Sequence, residues 1–168
     1  MPLWYRPPVS DLIVQLKFRG VLSAAPALGF LMSHRLVSCI DAYPDALLPV
    51  PLHRSRLRQR GYNQALEIAR IVSKQLAIPL VLSGVERARG TAPQSTLRSH
   101  LDRQRNVRGA FRLEGGFGEA AHIAIVDDVM TSGATVEALA TALKRQGVAR
   151  VDAWICARAE QTGIPWST

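Results

Sequence analysis

Lysine is nearly missing from this chain: Lys17, Lys74 and Lys144 are the only three, although lysine and arginine together number 21 in 168 residues. Arginine therefore carries most of the formal net charge of +8. Its planar fork suits bidentate contacts to phosphate, so the expected partner is polyanionic: a phosphorylated small molecule, a nucleic acid, or both. A basic surface serving only solubility would give the same count. Cysteine is equally sparse. Cys39 and Cys156 stand alone, which excludes a CxxC pair and zinc-finger spacing. Both are expected to behave as small buried hydrophobes and to remain unjoined in a reducing compartment. No apolar run reaches the roughly 20 residues of a membrane span. The N-terminal Met1-Pro2-Leu3-Trp4-Tyr5-Arg6-Pro7-Pro8 lacks the apolar centre of a signal peptide. The expected address is the cytoplasm.

What is present describes one α/β domain over residues 1–168, with ordinary apolar (48%) and charged (20%) contents. Ser10-Asp11 opens a short helix that Gly20 ends, and residues 22–37 continue as a second helix; together they make an N-terminal helical part over 1–40. An α/β core follows over 45–158. Strands are expected at 46–51, 79–82, 110–113, 122–126 and 151–157, with helices at 63–77 and 133–146. Residues 84–109 form a long polar, arginine-rich loop, and loops of that length are usually functional. Strands alternating with helices imply a mainly parallel sheet covered on both faces. Ligands of such sheets bind beyond the carboxyl ends of the strands.

The most informative segment is Ile123-Ala124-Ile125-Val126-Asp127-Asp128-Val129-Met130-Thr131-Ser132-Gly133-Ala134-Thr135. An apolar strand ends in two carboxylates, a hydroxyl-rich loop follows, and a helix starts. The helix N-terminus offers unpaired N–H groups and partial positive charge. With the hydroxyls of Thr131, Ser132 and Thr135, and with Gly133 allowing close approach, it makes a monophosphate cradle. The acids would repel phosphate; their partners are vicinal hydroxyls or a divalent cation. Phosphate at one end and a diol at the other describe a ribose 5-phosphate. Plain capping of a strand end and a helix is the competing explanation.

A second segment, Pro49-Val50-Pro51-Leu52-His53-Arg54, runs on through Arg56, Arg58 and Arg60 to Gly61-Tyr62-Asn63-Gln64. It reads as a loop whose arginines form either a solvated edge or a clamp for pyrophosphate or a nucleic-acid backbone. Tyr62 either stacks on a base or anchors the next helix. A third segment holds Pro93-Gln94-Ser95 and Arg105-Asn106-Val107-Arg108-Gly109-Ala110-Phe111.

The acid–loop segment resembles the binding signature for phosphoribosyl pyrophosphate (PRPP) of type I phosphoribosyltransferases at every position. With Leu16-Lys17-Phe18-Arg19-Gly20, the P-V-P-L loop, R-G-Y-N-Q, P-Q-S and R-N-V-R-G-A-F, the chain is similar to the ComF/GntX family over about residues 5–158. The four-cysteine zinc ribbon common at the start of that family is absent from this sequence. The resemblance implies a type I phosphoribosyltransferase-like fold with a hood loop. It implies that Asp127 and Asp128 hold the ribose hydroxyls, and Mg²⁺ directly or through water. Thr131, Ser132, Gly133, Ala134 and Thr135 would wrap the 5-phosphate, and Pro51, Leu52, His53 and Gly61 would form the pyrophosphate loop. Arg60 and Arg105 would assist the leaving group. The implied activity is phosphoribosyl transfer from PRPP to a nitrogenous acceptor, linked to competence and DNA uptake. The alternative is a non-catalytic module binding PRPP, a nucleotide or single-stranded DNA beside competence or DNA-processing proteins. The resemblance also leaves room for a homodimer.

Overall fold

The structure is a computed structural model that describes residues 3–88, 109–114 and 120–159. A four-stranded, fully parallel sheet lies at its centre, built from β1 (Leu3–Trp4), β2 (Ala46–Pro49), β5 (His122–Met130) and β6 (Arg150–Arg158) in the order β1-β6-β5-β2. Leu80 adds a single parallel bridge on the outer side of β2, at Leu47, where a full strand over 79–82 was expected. The ladder stops there because Pro49, the next residue facing that side, has no N–H to donate. A separate antiparallel pair joins β3 (Val85–Arg87) to β4 (Phe111–Leu113).

Residues 123–126 of β5 read as a continuous apolar run because both faces of the strand are covered there. Its side chains alternate between two cores. Ala124 and Val126 pack with α1 (Val9–Phe18), α2 (Ala24–Val37) and α4 (Gln64–Leu76) through Leu16, Leu28, Ile68 and Val72. Ile123 and Ile125 pack with α5 (Ala134–Arg145) through Leu139 and Leu143. Strand period and helix period thus meet in two apolar layers. From β2 the chain runs through α4 to Leu80 on one side; from β5 it runs through α5 to β6 on the other. The crevice between the carboxyl ends of β2 and β5 is therefore the topological switch point, where sheets of this kind bind ligands.

Three further sequence expectations need correction. Residues 54–60 are a helix, α3 (Arg54–Arg60), and not a loop. Its only apolar residue, Leu57, is exposed, so no amphipathic stripe announces it. The caps define it instead: the His53 side chain accepts from the Ser55 N–H at 3.3 Å, and Gly61 closes the C-terminus at φ +82°. Residues 85–87, expected within a long loop, form β3. Cys39 is exposed, while Cys156 is buried as expected; both are free thiols.

Gly29 marks the tightest helix contact. A Cβ there would lie 2.5 Å from the Cβ of Ile71 across the α2–α4 interface. Such a clash with a branched side chain cannot be relieved by a rotamer change. Gly29→Ala is expected to lose about 1–3 kcal/mol despite its better helix propensity, read as a lower urea midpoint with unchanged slope. A midpoint at or above wild type would contradict this packing.

At the amino end of the sheet, His122 meets Asp152 at 2.9 Å, Arg150 bridges Asp152 and Asp41, and the His122 N–H donates to Asp45 at 2.8 Å. This polar knot ties the α2–β2 connection to the strand starts, on the edge opposite the crevice.

Candidate functional site

β2 pairs with β5 only as far as Pro49↔Val126. β5 continues for four residues beyond that point, so Asp127 and Asp128 stand past the end of their neighbour, where the chain turns away as Val50-Pro51-Leu52. They open onto a cleft of about 720 Å³. Thr131, Ser132, Gly133, Ala134 and Thr135 line the same cleft, together with Leu52 and Arg60. Gly133 is left-handed (φ +78°) and precedes α5, turning the loop so that the helix N-terminus faces the hollow. The acid pair and the hydroxyl turn therefore share one cavity.

The two acids differ. Asp128 is buried at 2% exposure, and its carboxylate accepts from the Lys17 ammonium at 2.8 Å. Burial works to raise its pKa, but the charge and hydrogen bond of Lys17, with hydrogen bonds to Asp127 and Gln64, together hold it below the usual carboxylate range. Lys17 is raised in turn: desolvation works to lower it, but the charge and hydrogen bond of Asp128, with the Asp127 charge, together outweigh burial. Asp127 is partly exposed to the cleft, and its Oδ1 accepts the Asp128 N–H at 2.9 Å. Burial first, then the neighbouring Asp128 charge, push it well above the usual range. The pair is thus split into one firmly ionised acid and one that holds its proton more tightly.

The opposite wall is cationic. Arg56, Arg60 and Arg87 line the cleft with Lys17. Arg87 sits on β3 at 8% exposure with its guanidinium 5.6 Å from the Phe111 ring centre. Burial, then the Arg56 charge, lower it from its ordinary value, while Asp127 acts the other way. Arg60 donates to Gln64, and Gln64 bonds Asp128.

Some expected residues lie elsewhere. Pro51, His53 and Gly61 are not in the cleft lining; His53 and Gly61 serve as the caps of α3. Arg105 lies outside the described residues. Tyr62 lines the cleft, but its hydroxyl donates to the Leu16 carbonyl and bolts α1 to the start of α4. Asn63 caps α4 and also donates to the Val50 carbonyl; R-G-Y-N-Q is thus chiefly a joint. Sequence reasoning missed Lys17, Gln64 and Arg87 as site residues, while Arg56 had entered only as one of the arginines of a possible clamp. Lys17 carried a usable signal, as one of only three lysines in the chain, set in the last turn of α1.

The doubly wound fold, with an acid pair and a hydroxyl-lined turn at its switch point, is that of a phosphoribosyltransferase-type domain, and residues 63–168 match the family model for the phosphoribosyl transferase domain. The chain is 38% identical over 161 residues to the DNA utilization protein YhgH of Escherichia coli (strain K12), covering 92% of this chain and 69% of that one. It is 38% identical over 118 residues to Competence protein F of Haemophilus influenzae, covering 69% and 51%. It is 26% identical over 148 residues to Competence protein ComFC of Bacillus subtilis, covering 86% and 57%. The chain belongs to the ComF family of the type I phosphoribosyltransferase superfamily. Among the described residues, no helix is long and apolar enough to cross a membrane.

Proposed function

We propose that this domain binds PRPP with Mg²⁺ and transfers its phosphoribosyl group to a nitrogen nucleophile. The observation that carries the reading is the shared cleft, with an acid pair at one end and a hydroxyl-lined helix start at the other. The 5-phosphate sits on the Thr131–Thr135 turn, where backbone N–H groups and the helix dipole favour an anion. The ribose diol meets Asp127 and Asp128. In the reaction the C1–oxygen bond breaks, pyrophosphate leaves with the electron pair, and a C1–nitrogen bond forms. Charge accumulates on pyrophosphate, so the wall holding Arg56, Arg60 and Arg87 stabilises that departure. Arg105 belongs to the same role by resemblance.

The donor set fits magnesium of a particular kind. Among the described residues no cluster of three or more His, Cys, Asp or Glu exists, and Asp128 is already committed to Lys17. Mg²⁺ commonly keeps its waters and is held by one or two carboxylates plus substrate oxygens. Asp127, with Asp128 behind it, would hold the ion through water or substrate, and the ion would neutralise pyrophosphate charge.

The names of the relatives favour a second reading, a module that binds PRPP or single-stranded DNA in DNA handling without chemistry. Calorimetry with PRPP and Mg²⁺ tests the shared premise. Wild type is expected to bind, and Asp127→Asn to bind at least about tenfold more weakly, as for lost hydrogen bonds to a charged group. Silence from wild type removes both forms of the reading. Pyrophosphate release over a panel of bases then separates enzyme from module.

A further inference from the structure

Of the Leu16-Lys17-Phe18-Arg19-Gly20 segment, Leu16 has found a use in the core and Lys17 at Asp128. Phe18 has none, yet it is 71% exposed and lines the cleft. The apolar stripe of α1 is already satisfied: Ile13 and Leu16 are each 1% exposed in the core. Phe18 lies off that stripe, so packing does not account for it. An exposed phenyl ring at the wall of a polar cleft gains little from water. It gains much from a flat partner.

We propose that Phe18 is the stacking platform for a planar heterocyclic ring at C1 of the ribose, the acceptor before transfer and the base of the nucleotide product after it. The proposal rests on the phosphoribosyl reading and adds the substrate class. Lys17 reaches Asp128 at 2.8 Å, so Phe18, one residue on, lies one lysine side chain away from the acid pair. A sugar held by its 2- and 3-hydroxyls at that pair, with its phosphate on the α5 turn, points C1 away from the turn. C1 adjoins the 2-hydroxyl, so its substituent emerges beside the acids. The Arg60 guanidinium lies 5.9 Å from the Phe18 ring centre and donates to Gln64, which bonds Asp128. The ring is thus oriented through the same network that holds the sugar acids. A phenyl face reads no base edge, so the platform accepts planar rings generally and rewards area, purines before pyrimidines.

The test is calorimetry of adenosine 5′-monophosphate and ribose 5-phosphate on wild type, Phe18→Ala and Phe18→Trp. Phe18 is exposed, so the alanine variant is expected to fold, with circular dichroism as the check. Wild type should bind the nucleotide roughly 5- to 100-fold more tightly than the sugar phosphate, the usual gain from one stacked base. Phe18→Ala should erase that advantage without changing ribose 5-phosphate affinity, and Phe18→Trp should keep it. An advantage that survives in Phe18→Ala overturns the platform, as does equal weakening of both ligands. Loss confined to a labelled oligodeoxynucleotide would assign the ring to a nucleic-acid strand and overturn it too. If ribose 5-phosphate itself fails to bind wild type, the phosphoribosyl reading falls and takes this one with it.

Discussion

Asp128→Asn is expected to cost the fold about 2–4 kcal/mol, whereas Asp127→Asn is expected to be neutral or stabilising. Removing one partner of a buried ion pair usually costs about 3–5 kcal/mol because the other charge is stranded. Here the Lys17 side chain keeps 27% exposure, which lowers the figure. The melting temperature of Asp128→Asn should fall by roughly 5–15 °C, measured by circular dichroism without magnesium. Asp127 behaves oppositely because burial and the adjacent charge already favour its neutral form, which asparagine mimics. Lys17→Met/Asp128→Leu should lose less than the two single changes together, since no charge is stranded. Equal drops for both asparagine variants would refute the assignment of Lys17 to Asp128.

The same asymmetry sets a pH dependence. Asp127 has a folded pKa raised above its unfolded value, up to about 8. Its contribution is complete below the ordinary carboxylate range and is lost as pH rises toward 8. Asp128 is depressed, so its contribution is present above that range and is lost as pH falls through its folded value. The ligand-free protein should therefore weaken on the alkaline side of the carboxylate range. Asp127→Asn should flatten that decline.

Gly133→Asp is expected to abolish binding of ribose 5-phosphate while Gly133→Asn weakens it only modestly. Both variants fit: Asn and Asp tolerate the left-handed backbone at φ +78°, and a Cβ there meets only the Met130 sulfur, at an ordinary 3.6 Å. Each should lose about 1–2 kcal/mol of stability from backbone strain. They differ in one charge, and that charge would face the proposed anion site at the start of α5. Like charges brought together at a binding site cost several kcal/mol, so the aspartate should bind at least about 100-fold more weakly than the asparagine. Similar affinities in a titration of the two would show that phosphate does not sit on this turn.

The juxtaposed acid pair and hydroxyl-rich turn were legible because they are local: strand, acids, turn and helix follow one another within thirteen residues. The fold followed from the same alternation of periods, as at Ile123 and Ile125 against Ala124 and Val126. What escaped was either non-local or capped. Lys17 lies 111 positions from Asp128, and no pattern in α1 names its partner. Arg-Ser-Arg-Leu-Arg-Gln-Arg carries no apolar stripe, so α3 hides behind its caps, and the very residues assigned to pyrophosphate, His53 and Gly61, turn out to make them. Arg87 was lost because a three-residue strand inside a polar stretch gives no period to read.

One pairing has a bearing on biosynthesis. Leu3 and Trp4 find their sheet partners at Ala157 and Arg158, so the first strand stays without a neighbour until the last has left the ribosome. The strand edge at β6 is the last to be sealed, and nascent chains stalled before residue 157 would expose it to chaperones.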